Sequence, residues 1–442
     1  MNNKEISKKK VFLRTFGCQM NARDSEFVMG IMLESGFSQA SSIEKADVII
    51  FNSCSVRKHA EDRLFSNITE LKDLKKIRPG IVIGLMGCAA QSYKEKALRR
   101  APLVNFVCGP GDEYDLPRII KDVLENGCSI VATDKVSVKR PEMFPKYREG
   151  GFKAYVSIGE GCNNFCSYCI VPYVRGRERS RHSEDITREV KDLASRGFKE
   201  ITLLGQNVNS YEGKNKDKGF VGLLEKLNAV KGVEWIRFMT SHPKDASINL
   251  FKAMRDLEKV CEHLHLPAQS GSTRILKLMN RGYTKGHYLK LVEDYKKILP
   301  GGAITTDVIV GFPSETESDF KDTIDLVRRI KFDSAYTFKY SSRPPAKSAR
   351  LKDDVSDEAK STRLTALMEI QGRISEERNT ALLGKAYEVL VDGRNGKDPS
   401  KLTGRTRTNK IVVFAGDEKL IGKIVNVKIE SVTPYALKGK VV

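Results

Sequence analysis

The sequence predicts an α/β protein built of three successive units: an N-terminal parallel-sheet βα unit, a central partial (βα)6 barrel and a small all-β barrel at the C-terminus. Three observations predict it. Apolar runs alternate with helical patterns over residues 11–125, and six further strand–helix repeats follow between residues 154 and 340. From Gly384 onward short strands are separated by Gly and polar turns.

In the first unit, strands are expected at residues 11–16, 47–51, 81–86 and 104–107. Helical patterns run over 21–34 and 56–74, and begin again at Gln91 and near Tyr114. A β-α-β-α order gives a parallel sheet with helical crossovers. The irregular stretch 131–151 reads as a linker. In the second unit, strands are expected at 154–158, 200–204, 235–239, 262–266, 303–310 and 334–340, with helices such as 183–196, 288–298 and 317–330 between them. Six βα repeats make an open or partial barrel, whose chemistry sits at the C-terminal ends of the strands. A charged helix over 354–383 leads to strands at 387–391, 411–414 and 424–429, the pattern of a small barrel.

No apolar run reaches the roughly 18–20 residues needed to span a bilayer, and the polar, basic start has no apolar segment of the signal-peptide kind. The expectation is a cytoplasmic protein with no membrane partner, and a monomer, since no coiled-coil or obvious interface segment appears. The formal net charge of +20 points to a polyanionic partner, nucleic acid first.

Nine cysteines without a secretion signal argue for metal or redox chemistry over disulfides. Cys162, Cys166 and Cys169 form C-x3-C-x2-C directly after the first strand of the barrel. Three thiolates on one loop can hold three irons of a [4Fe–4S] cluster and leave the fourth open to a small molecule. Mononuclear zinc is the rival, but a structural zinc site takes four protein ligands and no fourth lies close in sequence. Cys18, Cys54 and Cys88 each stand just past a predicted strand, 36 and 34 residues apart, about one βα repeat. Parallel strands bring such positions to one edge, and Gly17, Ser53 and Gly87 leave room for close approach. The competing reading is three buried structural cysteines. Cys108 also follows a strand and is a further ligand candidate, with a structural role preferred. Cys128 and Cys261 read as packing residues.

With Tyr168 before its last cysteine, the second triad resembles the radical-SAM signature. The resemblance implies that Cys162, Cys166 and Cys169 carry the cluster. It also implies that the amino and carboxylate groups of S-adenosyl-L-methionine (SAM) chelate the open iron, and that reduction cleaves SAM to methionine and a 5′-deoxyadenosyl radical. Two triads plus a terminal β-barrel resemble the methylthiotransferase family over residues 10–442. The units would then be an N-terminal domain carrying an auxiliary [4Fe–4S] cluster (10–128), a radical-SAM core (148–378) and an RNA-binding TRAM domain (381–442). Several motifs are similar to the branch acting on isopentenylated adenosine. They are Phe16-Gly17-Cys18-Gln19-Met20-Asn21 with Asp24-Ser25-Glu26, Asn52-Ser53-Cys54-Ser55-Val56-Arg57, Gly87-Cys88-Ala89-Ala90-Gln91 and His265-Leu266-Pro267-Ala268-Gln269-Ser270. The implied reaction installs a methylthio group at C2 of that nucleoside, at tRNA position 37, using two SAM molecules and sulfur associated with the auxiliary cluster. An electron-donor protein such as a flavodoxin or ferredoxin is implied as a partner. One departure is Arg343-Pro344-Pro345-Ala346-Lys347, where the family usually reads Arg-Pro-Gly-Thr.

Candidate SAM contacts are Tyr168, Gln206, Asn207, Gln269, Ser270 and Arg175; each polar group at a strand end competes with a role as turn or cap. Candidate RNA contacts are Arg405, Arg407 and Lys410 in the basic terminal domain. The nearest alternatives are methylthiolation of threonylcarbamoyladenosine in tRNA or of a ribosomal-protein aspartate. An iron–sulfur RNA-binding sensor without SAM chemistry is the alternative from another class.

Overall fold

The computed structural model describes residues 9–55, 58–134, 144–213 and 218–442. Val56 and Arg57, within the second cysteine motif, and residues 135–143 of the expected linker lie outside these segments.

The first unit is a six-stranded sheet in the order β2-β1-β3-β4-β5-β6. Its strands are β1 (Lys10–Phe16), β2 (Ser38–Gln39), β3 (Val48–Ser53), β4 (Val82–Met86), β5 (Phe106–Cys108) and β6 (Ile130–Ala132), and every pairing is parallel. The central strand β3 is buried throughout, because its two faces feed two cores. Ile49 and Phe51 pack with Leu64, Ile68 and Leu85, whereas Val48 and Ile50 pack with Val28, Met32 and Ile120. Both-sided burial explains the unbroken apolar run.

Three expectations are corrected here. The long second helix is two, Lys58–Glu70 and Lys72–Ile77. The sheet has two further strands, β2 and β6, and β6 ends inside the presumed linker. Both are too short and too exposed to show period-two patterning. The end of that linker is also ordered: the buried Arg148 donates to Glu26 of the first unit and to Glu189 of the second.

In the central unit β7 (Lys153–Ser157) is followed by a two-stranded ribbon, β8 (Gly159–Glu160) and β9 (Arg179–Ser180). Then come β10 (Glu200–Leu204), β11 (Trp235–Phe238), β12 (His263–His265), β13 (Ala303–Val310) and β14 (Ser334–Lys339). They form two parallel three-stranded sheets, β7-β10-β11 and β12-β13-β14, which meet at an Ile236–Val260 bridge. The result is the open six-stranded barrel expected from the repeats. Helix Asp357–Thr380 packs against β14 and leads to the terminal unit.

That unit is a closed barrel in the order β15-β16-β17-β19-β18. Its strands are β15 (Ala386–Arg394), β16 (Leu402–Thr406), β17 (Ile411–Phe414), β18 (Ile424–Val432) and β19 (Leu437–Val441). Val389, Val391, Val412, Phe414, Val427 and Leu437 fill it. Leu390 faces the other way, onto Trp235 and Cys261 of the core.

Ion pairs join the first unit to the second as well. Arg343 Nη1 lies 2.7 Å from Glu61 Oε2, and Arg175 Nη2 lies 2.6 Å from Asp24 Oδ2. The variant loop at Arg343 therefore serves the interface between the units. Among the described residues no helix is long and apolar enough to cross a membrane.

Candidate metal centres and cavity

Cys18, Cys54 and Cys88 follow β1, β3 and β4, which are neighbours in the sheet. Phe16 is in register with Ser53, and Asn52 with Met86. Parallel strands roughly 4.8 Å apart then carry the three thiols to one edge. Cys18 caps helix Gln19–Glu34, and Cys88 opens helix Cys88–Tyr93, so both sit at helix N-termini. Close approach needs the glycines. A Cβ on Gly17 would stand 2.6 Å from Cys54 Cβ, and one on Gly87, whose φ is +86°, 2.3 Å from Asn52 Oδ1.

The floor beneath the triad is polar and buried. Asn21 Oδ1 lies 3.2 Å from Cys18 Sγ, Asn21 Nδ2 donates to Asn52 Oδ1 at 2.9 Å, and Asn52 Nδ2 donates to the Asn21 carbonyl and to Ser25 Oγ. A hydrogen bond with Cys54 leads the factors that bring the Cys18 thiol down to about 6, with Arg175 and the N–H groups of Asn21 and Met20 adding to it against the cost of burial. Burial pushes Cys88 up to about 11, and Arg175 opposes it. A donor set with one ready thiolate, facing a guanidinium and two helix N-termini, fits an anionic iron–sulfur cluster.

Arg175, expected at the SAM carboxylate, donates from Nε to Cys88 Sγ at 3.2 Å and from Nη2 to Asp24. Only 5% of it is exposed. Cys108 packs in the core beside Val82, Met86 and Phe106, in keeping with a structural role. Cys261 packs against Trp235. Cys128 does not pack: it is exposed, just beyond the left-handed Gly127 that ends helix Leu116–Asn126.

The second triad lies at the C-terminal end of β7. Gly161 (φ +79°) turns the chain into the loop, where a Cβ would stand 2.2 Å from the Arg177 carbonyl. Gly161 N–H donates to Gln206 Oε1 at 2.5 Å, and Cys162 N–H to the Gly176 carbonyl. A residue not singled out from the sequence completes this site. Arg281, 5% exposed, sends Nη1 to within 3.4 Å of both Cys166 Sγ and the Tyr168 hydroxyl, Nη2 to the Pro267 carbonyl and Nε to the Tyr283 hydroxyl. Burying a guanidinium against a thiol and carbonyls is costly unless an anion offsets its charge, which fits a thiolate-bound cluster. Burial pushes Cys169 up to about 12 without one. Among the described residues no three His, Cys, Asp or Glu side chains close round a single metal ion.

Beside this loop opens a cavity of about 1120 Å³ lined by Asn163, Glu178, Asn207, Asn209, Ser210 and Asp245 among others. Asn207 Nδ2 donates to Asp245 at 2.7 Å, and its buried Oδ1 has no hydrogen-bond partner. Of the expected SAM contacts, Asn207 lines this cavity, whereas Gln206 holds the cysteine loop. Gln269 is buried at φ +67° in a bridge to Val308. Tyr168 packs against Ile275, Met279, Phe312 and Tyr340. Ser270 is buried in a turn, 3.4 Å from Thr323 Oγ1 and accepting from Ser272 N–H.

Each of the expected RNA contacts also has a partner within the chain. Arg407 pairs with Glu262 at 2.7 Å and donates to the Val260 carbonyl; Lys410 pairs with Asp333 at 2.9 Å; Arg405 donates to Asn409 Oδ1.

Comparison with known proteins agrees with this division. Residues 10–109 match the family described as "Uncharacterized protein family UPF0004", 156–327 the radical SAM superfamily and 381–442 the TRAM domain. A tRNA-2-methylthio-N(6)-dimethylallyladenosine synthase from Thermoanaerobacter sp. (strain X514) is 49% identical over 97% of this chain and 92% of its own. Proteins of the same name from Acetivibrio thermocellus and Moorella thermoacetica are 48% and 45% identical, each over 99% of this chain and over 92% and 99% of their own. Among solved structures, the radical S-adenosylmethionine methyltransferase TsrM from Kitasatospora setae, with cobalamin and a [4Fe–4S] cluster bound, matches with a TM-score of 0.54 at 12% identity, over 77% of each chain. That likeness concerns the fold.

Proposed function

This chain belongs to the tRNA-2-methylthio-N(6)-dimethylallyladenosine synthase family, and from that premise we propose how its two cysteine triads divide one reaction. The chain is a radical-SAM tRNA methylthiotransferase converting N6-isopentenyladenosine to its 2-methylthio form. Its cofactors are SAM and a [4Fe–4S] cluster.

The finer reading is ours. Cys162, Cys166 and Cys169 hold the SAM-binding cluster, and Cys18, Cys54 and Cys88 hold an auxiliary one. When bound, these groups supply one-electron activation of an unreactive aromatic C–H position and a source of sulfur. The chain itself orients and shields. Arg281 steadies the Cys166 thiolate, Gln206 anchors the loop through Gly161 N–H, and Asn207 offers its free Oδ1 to a donor group of SAM in the adjoining cavity. The working boundaries are 10–128, 148–378 and 381–442. The tRNA target is position 37, the electron donor a flavodoxin or ferredoxin, and the enzyme a cytoplasmic monomer.

The observation that carries this reading is that each triad lies at the C-terminal edge of a parallel sheet and faces one buried guanidinium, Arg175 or Arg281. Anaerobic reaction of the reconstituted chain with SAM, reductant and isopentenyladenosine-bearing tRNA tests it. Cys166→Ala is expected to abolish 5′-deoxyadenosine release. Cys88→Ala is expected to release 5′-deoxyadenosine without the mass gain of a methylthio group on tRNA. Loss of 5′-deoxyadenosine release in both variants would collapse the division of labour. Intact clusters that consume no SAM would favour the sensor.

A further inference from the structure

The first triad is completed by a side chain from the other domain. Arg175 lies six residues beyond Cys169, at the C-terminal end of helix Val171–Val174. That helix packs on helix Cys88–Tyr93, with Ile170, Val174 and Cys88 in one apolar cluster. From there the Arg175 guanidinium enters the first triad edge-on, its Nε 3.2 Å from Cys88 Sγ and its Nη2 2.6 Å from Asp24 Oδ2. Asp24 is 1% exposed and fixes the plane of the guanidinium. The segment that ligates one cluster thus delivers, within a few residues, a hydrogen bond to a ligand of the other.

Resting on the auxiliary cluster assigned above, we propose that Arg175 is the positioning residue of that cluster: its N–H···S bond to Cys88 raises the cluster's reduction potential, and Asp24 holds it in place. Reduction adds an electron that is shared onto the ligand sulfurs. A donor and positive charge at Cys88 Sγ stabilise the reduced form more than the oxidised form. Hydrogen bonds to sulfur, net charge and solvent exposure are the protein's main controls on such potentials. Arg175 supplies the first two and, being buried, contributes to the third.

The test uses the full chain carrying Cys162→Ala, Cys166→Ala and Cys169→Ala, so that only the auxiliary cluster remains. Its midpoint potential is read by electron paramagnetic resonance during a redox titration, alongside iron per chain. Introducing Arg175→Met is expected to shift the potential downward, and Arg175→Lys, which keeps the charge without the Nε geometry, to shift it less. Asp24→Glu, which keeps the carboxylate charge but displaces the guanidinium from Cys88, provides a second reading if Arg175→Met fails to retain iron, and is also expected to shift the potential downward. Potentials in Arg175→Lys and Asp24→Glu equal to the parent's, at full iron content, would overturn the inference. A parent that loads no cluster would overturn the auxiliary assignment itself, and this inference with it.

Discussion

Arg281 and Cys166 are 115 residues apart in sequence, yet the guanidinium Nη1 stands 3.4 Å from the cysteine sulfur in a buried site. A side chain that orients a ligand typically changes metal affinity or activity 10–100-fold when removed. Arg281→Met is therefore expected to lower SAM cleavage by about that factor, with iron loss from this site, and Arg281→Lys to recover part of it. Iron content and the rate of 5′-deoxyadenosine release measure both; a full iron load with parental cleavage in Arg281→Met would refute the assignment.

The first triad depends on a backbone with no room for a side chain. Gly87 has φ +86°, and its Cβ would stand 2.3 Å from Asn52 Oδ1. Strained backbone of this kind costs on the order of 1–3 kcal/mol. Gly87→Ala is expected to reduce iron at the first triad while 5′-deoxyadenosine release continues, as read by iron analysis and product assay on one sample.

In the terminal barrel, exposed charge is distinct from the charge that docks the domain. Lys428 lies directly opposite Lys440 on β18 and β19, and both are exposed. Like charges in that position repel unless an anion lies between them. Replacing both with Met is expected to weaken tRNA binding and to lower the slope of log affinity against log salt by about 0.7–0.9 for each phosphate no longer neutralised, with unchanged thermal stability. Arg407→Met, which breaks the Glu262 pair, is expected instead to destabilise the chain by about 2 kcal/mol and leave the salt slope intact. Filter binding across a salt series and thermal unfolding separate the two.

Asp333 joins three elements, accepting from Ile304 N–H and pairing with Arg378 and Lys410. Burial raises its carboxyl, but Lys410 and Arg378 outweigh that and hold it below the usual aspartate value. Ionised Asp333 therefore stabilises the fold above the unfolded value of about 3.9, and this contribution disappears as pH falls through the lower folded value. Asp333→Asn is expected to unfold at lower temperature at neutral pH, with a smaller loss than the parent on acidification. Thermal unfolding across pH measures it.

The three-part order, the six barrel strands and the strand-end placement of the cysteines were legible because they rest on local signals: apolar runs and the spacing of cysteines along them. What escaped depends on distance. Arg281 sits in Met279-Asn280-Arg281-Gly282, which has the look of an ordinary helix end; only folding brings it to Cys166. Arg175 was legible as a cation beside the second triad, but its reach to Cys88 belongs to packing between domains. Arg407 and Lys410 read as RNA-facing because basic residues on a small barrel are generally solvated, and here the core supplies Glu262 and Asp333 to meet them. β6 escaped because three half-buried residues at a sheet edge carry no periodicity.

The arginines that bridge the first two units have a consequence for how such a chain can be rearranged. Arg148, Arg175 and Arg343 each meet a carboxylate of the first unit, Glu26, Asp24 and Glu61. Removing one member of a buried pair costs about 3–5 kcal/mol, because the other is left unmatched. A chimera taking its first unit from a relative must carry all three acids in register with all three bases, so the pair of domains is engineered as a single piece.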